Sequence, residues 1–261
     1  MTILVRGKPF RLRPHEIIGR HILHFGLFDL LVSEALTRLA APGELAVDVG
    51  ANIGYMTRVL AHRVGSRGQV MAFEPHPEIF SELTWNTVGE PIMLSQAAVS
   101  DRSGTAKLRI PANFTGNRGI ASLEAGCDAY DEVKVPIVTL DSTFASDVKI
   151  GVMKIDIEGH ELSALRGADR MLRGGQIRDI VFEEHDPDHS EVATYLTRLG
   201  YHVFRLEKGF FAPKLRQISD NSKISSWESP SLLATLEPQR AKDLFSPKGW
   251  HCWIEPRPCS A

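Results

Sequence analysis

The stretch that most constrains the fold of this chain spans residues 45–55 and reads LAVDVGANIGY. An apolar run typical of a buried strand ends at Gly50, Gly54 follows four residues later, and an amphipathic segment over residues 55–64 begins at once. This pattern predicts a strand, a tight glycine turn and a helix start, the arrangement that brings backbone N–H groups close to a ligand. Residues 69–73 (QVMAF) predict a second strand that ends at Glu74, where a carboxylate can accept both hydroxyls of a ribose. The two features indicate a nucleoside-containing cofactor bound to a doubly wound sheet.

The spacing of the glycines separates the classes of cofactor. Dinucleotide sites use G-x-G-x-x-G, whose middle glycine lets the backbone approach a pyrophosphate. Here the pattern from Asp48 to Gly54 is D-x-G-x-x-x-G, with Ala51 and Asn52 between the glycines, which favours a ligand without a pyrophosphate. S-adenosylmethionine offers a ribose to Glu74 and an amino-acid end to the turn, where Asp48 would orient either the loop or the ammonium group. The position of Glu74 disfavours the alternative of a turn whose glycines serve only close packing.

Strand and helix patterns alternate from residue 45 to residue 199, which predicts a parallel sheet with helices on both faces. We expect further strands at residues 92–95, 105–110, 133–139, 151–155 and 177–182, with residues 201–206 and 231–235 as a final antiparallel pair. Helices are expected at residues 55–64, 77–85 and 161–172, and from Ser190 to Leu199. We divide the chain into an arm and two helices broken near Gly26 (residues 1–44, part of the same domain), a catalytic domain (45–236) and a tail without clear pattern (237–261).

Composition excludes several classes of protein. The chain has 261 residues, a hydrophobic content of 43%, a charged content of 24% and a net charge of −2, which describe a soluble globular protein without a basic field for nucleic acid. No apolar run approaches membrane-spanning length, and the N-terminal residues do not resemble a signal peptide. Three cysteines without C-x-x-C spacing favour neither a disulfide framework nor structural zinc, and a cytoplasmic location fits.

Two clusters of ionisable residues follow predicted strands, at the edge where such sheets bind ligands. The first is Lys154, Asp156 and Glu158 in KIDIEG, and the second is Glu183, Glu184, His185, Asp186 and His189. Charged side chains directly after buried strands need partners or a ligand, although a purely structural ion-pair network is the alternative. For transfer of a methyl group to a hydroxyl, His185 is the side chain best matched to act as the base at neutral pH. Asp156, Glu158 or Glu183 could serve instead if burial raised its pKa.

A metal ion would be a further possibility at these strand ends. Asp156 with Glu183 or Glu184 could hold Mg²⁺. His185 and His189 have a spacing seen in zinc sites, but the proline between them argues against one helical face. We expect no metal.

Residues 111–130 have little periodicity, which is typical of a lid or binding loop or of a disordered surface insertion.

Several motifs together resemble the FkbM family of S-adenosylmethionine-dependent methyltransferases: DVGANIGY, AFEPHP, AAVSDRSG, VPIVTLDS, MKIDIEGHELSALRGA and SLLAT. The resemblance covers about residues 45–235 and implies a class I methyltransferase (Rossmann-like) fold, with a seven-stranded sheet that has one antiparallel strand. It also implies O-methylation of a hydroxyl on a sugar, polysaccharide precursor or polyketide-type natural product.

The resemblance assigns roles position by position. The cofactor loop and helix start would comprise Asp48, Gly50, Asn52, Gly54 and Tyr55. Glu74 would hold the ribose, and Gln96 and Ala97 would lie near the adenine. Lys154, Asp156 and Glu158 would face the methyl group and the acceptor. Residues 116–123 (GNRGIASL) resemble a family segment rich in Asn, Gly and Ser, which favours contact between this loop and the substrate. The N-terminal arm and the tail match nothing and are natural places for acceptor specificity or homodimer contacts.

Other functions remain as alternatives to a small-molecule or glycan O-methyltransferase. One alternative is a methyltransferase acting on RNA or protein, and the neutral net charge and the lack of a basic, aromatic-studded stretch disfavour RNA. A catalytically silent cofactor-binding scaffold is disfavoured by the acidic groups at both strand ends. A nicotinamide-dependent oxidoreductase is disfavoured by the missing middle glycine.

Overall fold

A computed structural model describes residues 1–111, 121–124, 129–184, 189–218 and 231–253. Its strands are β1 (Thr2–Val5), β2 (Lys8–Arg11), β3 (Leu45–Val49), β4 (Gln69–Phe73), β5 (Ile92–Ser95), β6 (Ala98–Val99), β7 (Gly104–Pro111), β8 (Ala129–Val138), β9 (Ile150–Ile155), β10 (Ile177–Glu183), β11 (His202–Lys208), β12 (Pro213–Gln217) and β13 (Ser231–Thr235). Its helices are α1 (Ile17–Phe25), α2 (Leu30–Leu39), α3 (Tyr55–Val64), α4 (Pro77–Asn86), α5 (Leu140–Thr143), α6 (Glu161–Arg166), α7 (Asp169–Arg173), α8 (Glu191–Arg198) and α9 (Pro238–Phe245), and a 3-10 helix spans His251–Trp253.

The largest sheet carries the features predicted from the alternating pattern. Within the described ranges it has eight strands in the order β12-β11-β13-β10-β9-β3-β4-β5. Strands β10, β9, β3, β4 and β5 are parallel, and β13 runs antiparallel to β10 and β11. The doubly wound, mostly parallel sheet and the antiparallel pair of β11 and β13 are therefore confirmed.

The predicted number of strands is wrong by one. Strand β12 pairs antiparallel with β11 at the edge of the sheet, so the sheet has eight strands, and two of them run against the other six. Lys214, Arg216 and Gln217 of β12 are exposed. Because an edge strand of this kind has no continuous apolar face, its sequence lacks the pattern that reveals a buried strand.

Helices cover both faces of the sheet. Successive side chains of a strand point to opposite faces, so neighbouring residues pack into different cores. Ala46 of β3 packs into a core with α2 and α3. Val47 and Val49 belong to a second core, on the side of α6, α7 and α8. This two-sided burial explains why β3 reads as a nearly continuous apolar run.

The helix predicted at residues 161–172 is two helices, α6 and α7, because contacts with distant residues interrupt it. A Cβ atom at Gly167, which ends α6, would lie 1.9 Å from the Ser100 carbonyl oxygen, so the chain passes very close to β6 there. The Asp141 carboxylate then accepts the backbone N–H groups of Arg170 (2.8 Å) and Met171 (3.0 Å) and starts α7. A sequence pattern does not reveal this cap, since it comes from another part of the chain.

Residues 1–44 and the described part of the tail, 237–253, are more regular than the sequence suggests. Residues 2–11 form a hairpin of β1 and β2, and α1 ends at Gly26 with φ 74°, at the predicted break between the first two helices. The tail is not without pattern, because α9 buries Ala241 and Phe245. A helix of 8 residues with two buried side chains gives too weak a periodicity to be recognised. None of the helices in the described ranges has the length and apolar character that crossing a membrane requires.

A smaller sheet stands beside the main one and brings part of the 111–130 stretch to the site. It has the order β6-β8-β7. Residues 121–124 are attached to it, because Ser122 and Arg109 exchange backbone hydrogen bonds of 2.9 and 3.2 Å. The rest of the predicted lid, apart from Pro111 and the start of β8, lies outside the described residues.

Candidate functional site

The glycine turn after β3 is closed by the neighbouring strands. The Gly50 and Ala51 N–H groups both donate to the Phe73 carbonyl of β4, at 3.0 and 2.9 Å. Gly50 has φ 78°, and a Cβ atom there would lie 2.0 Å from the carbonyl oxygen of Asp156. Only glycine fits this close crossing of two backbones. The turn is thus a rigid platform at the carboxyl ends of β3, β4 and β9.

Glu74 is joined to the same turn by hydrogen bonds. Its carboxylate accepts the Asn52 N–H at 2.9 Å and the His76 N–H at 2.8 Å, and the residue is 6% exposed. Burial raises the pKa of Glu74 to about 7, although both hydrogen bonds oppose the rise. Each carboxylate oxygen keeps a second lone pair, so the group can still accept two hydroxyl donors from the cavity.

Lys154 links the turn to the acidic residues that follow β9. Its Nζ donates to the Gly50 carbonyl at 2.7 Å and lies 3.4 Å from both Asp48 Oδ1 and Asp156 Oδ2. Burial alone would lower the pKa of Lys154, but the carboxylates of Asp156 and Asp48 outweigh it and raise that pKa above its ordinary value. Lys154 therefore stays charged and holds these groups in position.

Asp48 lies beneath the turn rather than in the cavity. Its carboxylate is completely buried and accepts the Thr57 hydroxyl at 2.6 Å, in addition to its contact with Lys154. Of the two roles considered for Asp48, this geometry favours orientation of the loop over contact with an ammonium group.

Glu158 faces the cavity from the turn after β9. Its φ of 53° is unusual for a residue other than glycine, and such conformations are concentrated at functional sites. Burial first, and then the charges of Asp156 and Glu161, raise the pKa of Glu158 to about 7. The Ser122 hydroxyl donates to the Glu158 carbonyl at 2.9 Å and fixes the turn from above. A carboxyl group with this pKa can take up a proton at neutral pH.

These residues surround one cavity of about 270 Å³, close to the lower end of the range of roughly 300–1,000 Å³ that is typical of ligand sites. The cavity brings together nine of the sequence-predicted residues: Gly50, Asn52, Tyr55, Glu74, Ala97, Lys154, Asp156, Glu158 and Glu183. Three others do not line it: Asp48 lies below, Gly54 starts α3 against Leu83, and Gln96 is exposed. His185, the predicted base, lies outside the described residues.

The cavity wall also contains residues that sequence reasoning missed. Asp29 comes from the segment before β3, and His160 lies two residues after Glu158. His160 Nδ1 is 2.5 Å from Glu124 Oε1, and its Nε2 is 3.0 Å from Ser100 Oγ. Proximity to KIDIEG could have indicated His160. Nothing in the local pattern indicates Asp29, because only the packing of α2 brings it to the site.

The residues present fit a nucleoside ligand with an amino-acid end. Glu74 offers a buried carboxylate beside the platform of Gly50, as a ribose diol requires, and the wall at Asp29 and Asp156 is acidic, which suits a cationic ligand. Within the described ranges, no three His, Cys, Asp or Glu side chains are grouped so that they could hold a metal ion.

Comparison with known proteins identifies the family. The Methyltransferase FkbM domain matches residues 48–203. The 31-O-demethyl-FK506 methyltransferase FkbM of Streptomyces tacrolimicus is 30% identical over 203 residues, which cover 66% of this chain and 77% of that protein. The hexuronic acid methyltransferase AglP of Haloferax volcanii is 27% identical over 190 residues, which cover 65% of this chain and 72% of that protein. Among solved structures, an S-adenosylmethionine-dependent O-methyltransferase from Thermotoga maritima aligns at 14% identity with a TM-score of 0.46, over 84% of this chain and 70% of that one.

The matched region spans more than half of the chain and contains the glycine turn, Glu74 and the KIDIEG segment. The resemblance that these motifs carry is therefore confirmed. The chain belongs to the FkbM methyltransferase family and is an S-adenosylmethionine-dependent methyltransferase.

Proposed function

We propose that this protein transfers the methyl group of S-adenosylmethionine to a hydroxyl group on a sugar, a polysaccharide precursor or a polyketide-type natural product. The observation that carries the proposal is the cavity, in which Glu74 beside the glycine turn and Glu158 after β9 share one space. Glu74 is suited to hold a nucleoside, and Glu158 is suited to accept a proton. The printed names of the two relatives, a 31-O-demethyl-FK506 methyltransferase and a hexuronic acid methyltransferase, support acceptors of these classes.

The arrangement of the strands gives the cofactor its direction. Glu74 at the end of β4 would accept the ribose hydroxyls, and Ala97 after β5 would lie against the adenine. Because β9 lies on the other side of β3, the methyl group and the acceptor would lie towards Asp156, Glu158 and Glu183. Gly50 and Asn52, at the centre of the wall, would contact the cofactor through their backbone.

The chain's own contribution to the reaction is alignment and removal of a proton. S-adenosylmethionine, when bound, supplies an electrophilic methyl group on a sulfonium ion. Alignment of the acceptor hydroxyl in line with that methyl group provides much of the acceleration. Glu158, ionised in part at neutral pH, would accept the hydroxyl proton as the oxygen–carbon bond forms and the methyl–sulfur bond breaks, with the electron pair of that bond left on sulfur as the neutral thioether. This proton transfer is expected to contribute about 10²–10⁴-fold. Lys154, whose Nζ is 3.4 Å from Asp156 Oδ2, holds that carboxylate in place beside it.

The test begins with the cofactor. Calorimetric titration of the purified protein with S-adenosylhomocysteine should give binding, and NAD should give none. Glu74→Gln should weaken the binding of S-adenosylhomocysteine, because a neutral amide replaces the acceptor of the ribose hydroxyls. Glu78→Gln, an exposed glutamate in the first turn of α4, is the matched control. Tight binding of NAD alone would overturn the proposal.

The acceptor class is tested by transfer of a labelled methyl group. Hydroxylated sugars and polyketides are compared with the same compounds lacking the candidate hydroxyl, and label should enter only the first set. Transfer to RNA or to protein, with none to the hydroxylated compounds, would contradict the assignment of acceptor.

A further inference from the structure

One wall of the cavity comes from outside the region that matches the family. Residues 48–203 match, yet Ile17, Ile18, Phe28, Asp29 and Val32 also line the cavity. Asp29 is the charged member of this set. The N-terminal segment therefore contributes one carboxylate and four apolar side chains to the cavity.

Asp29 is held in a defined conformation. It is the N-cap residue of α2, where its Oδ1 accepts the Val32 N–H at 3.1 Å. Its backbone has φ 41° and ψ 89°, in the left-handed region that side chains rarely adopt. The cap and this backbone conformation together hold Asp29 in the cavity wall.

The charges around Asp29 leave room for a cation. In the described part of the chain Asp29 forms no salt bridge, and the one lysine or arginine among the described cavity residues, Lys154, is already engaged by Asp48 and Asp156. Burial first, and then the charge of Asp156, raise the pKa of Asp29 above its ordinary value, although the hydrogen bond from Val32 and the charge of Lys208 oppose the rise. Two carboxylates thus share one wall, and a bound cation would relieve their repulsion.

The packing of α2 indicates which cation fits. Helix α2 packs against β9, β10 and β11 as well as α3, and its N-cap residue Asp29 interacts electrostatically with Asp156 after β9 and with Lys208 of β11. Its first turn therefore stands on the side of β3 away from β4 and Glu74. A ligand whose ribose lies at Glu74 and which crosses the Gly50 turn therefore presents its far end to Asp29. In S-adenosylmethionine that end is the amino acid.

We propose that Asp29, together with Asp156, binds the α-ammonium group of the methionine moiety of the cofactor. The inference rests on the proposed function, since it takes the cofactor and its direction from there. It assigns a binding residue to the N-terminal segment, outside the part of the chain that defines the family.

The experiment compares two ligands that differ at this end. S-adenosylhomocysteine carries the amino acid, whereas 5′-methylthioadenosine keeps the nucleoside and the thioether and lacks it. Both are titrated by calorimetry into the full chain and into Asp29→Asn, which removes the charge but keeps an N-cap residue that tolerates a left-handed backbone. The control is Asp147→Asn, the same change at an exposed residue. Asp147 precedes β9, at the amino ends of the parallel strands, whereas the cavity lies at their carboxyl ends.

We expect Asp29→Asn to weaken S-adenosylhomocysteine about ten- to hundredfold, as for loss of a charged hydrogen-bond partner, and to leave 5′-methylthioadenosine unchanged. Asp147→Asn should alter neither. Equal loss for both ligands, or no loss for either, would overturn the inference. A wild-type protein that binds neither ligand would instead overturn the proposed function, and this inference with it.

Discussion

Glu74 and Glu158 have pKa values raised to about 7 in one cavity, for partly different reasons. Burial is the main cause for both. Hydrogen bonds from backbone N–H groups oppose the rise at Glu74, whereas the charges of Asp156 and Glu161 add to it at Glu158. A raised pKa of a carboxyl group means that the folded state favours the protonated form. The stability that each group contributes is therefore complete at acid pH and is lost as the pH rises through about 7.

Binding of the cofactor should depend on pH through Glu74. The ionised carboxylate is the better acceptor of two ribose hydroxyls, so its hydrogen bonds with the ligand favour loss of the proton. We expect the affinity for S-adenosylhomocysteine to rise between about pH 6 and pH 8, by at most about tenfold per pH unit, and then to level off. Calorimetry across this range measures the change, and buffers of different ionisation enthalpy report the released proton.

Glu74→Gln is the control for this dependence. The variant should bind weakly at every pH, with a much flatter profile, because position 74 no longer titrates. Affinity that falls as the pH rises would contradict the expected direction.

Turnover should depend on Glu158 in a different way. Glu158→Gln keeps the shape of the side chain and removes the proton acceptor, so kcat should fall about 10²–10⁴-fold while the affinity for S-adenosylhomocysteine stays close to that of the wild type. In the wild type, kcat should rise with pH through about 7, and the variant should lose that rise. Steady-state transfer to an acceptor found in the screen gives kcat, and calorimetry gives the affinity for S-adenosylhomocysteine. A normal kcat in the variant would move the role of base to another group.

At the scale of the element, the sequence predicted best where the signal is local. Strand β3, helix α3 and strand β4 begin and end at the predicted residues, because apolar runs and glycines mark both ends. The strand β12, the break at Gly167 and the helix α9 were missed for the opposite reason. Strand β12 lies at the edge of the sheet, and the break at Gly167 depends on the nearby Ser100 carbonyl. Helix α9 has only two buried side chains to mark it in the sequence.

The candidate site divides in the same way. Gly50, Glu74 and Asp156 were predicted, because each follows a recognisable strand and parallel strands end at one edge of a sheet. Asp29 was missed because it reaches the cavity only through the packing of α2 against the sheet. Site residues that follow strands can therefore be predicted from the sequence pattern. A site residue on a distant helix can be found only from the tertiary structure.

The turn after β3 makes a prediction about backbone fit. The sequence predicts a glycine turn that brings the backbone close to a ligand, and the structure shows a second close approach, with the Asp156 carbonyl oxygen 2.0 Å from the place of a Cβ atom at Gly50. Gly50→Ala must therefore separate β3 from β9, and we expect a loss of stability of at least about 1–3 kcal/mol together with loss of S-adenosylhomocysteine binding. Urea denaturation and calorimetry measure the two effects.

Gly200→Ala is the matched control for Gly50→Ala. Gly200 also has a positive φ, of 92°, but a Cβ atom there would meet nothing within 4 Å. This variant should show only the smaller cost of the backbone conformation and should bind normally. Equal effects in the two variants would mean that the close crossing with Asp156 is unimportant.

At the scale of the whole molecule, α2 joins both ends of the chain to the sheet. One core combines Leu36 and Leu39 of α2 with Val152 of β9 and with Phe245 of α9. Buried polar contacts reinforce it, because Arg38 of α2 donates to the carbonyl oxygens of Leu244 (2.7 Å), Pro247 (3.1 Å) and Gly249 (2.7 Å). The helix that presents Asp29 to the cavity is thus also the helix that holds the C-terminal segment.

The pair of Glu34 and Arg38 should be essential for this arrangement. Both side chains are almost completely buried, Arg38 Nε is 2.6 Å from Glu34 Oε1, and Glu34 Oε2 accepts the Cys252 N–H at 2.7 Å. Arg38→Met leaves a buried carboxylate without its charged partner, so we expect a loss of about 3–5 kcal/mol in the free energy of unfolding, measured by urea denaturation. Arg173→Met is the control, because Arg173 pairs with Asp169 at the same i,i+4 spacing on the surface and should leave the denaturation midpoint nearly unchanged. The double variant Glu34→Gln/Arg38→Met should recover part of the lost free energy of unfolding, since it removes the unpaired charge. A double variant less stable than Arg38→Met would show that the unpaired carboxylate does not cause the loss.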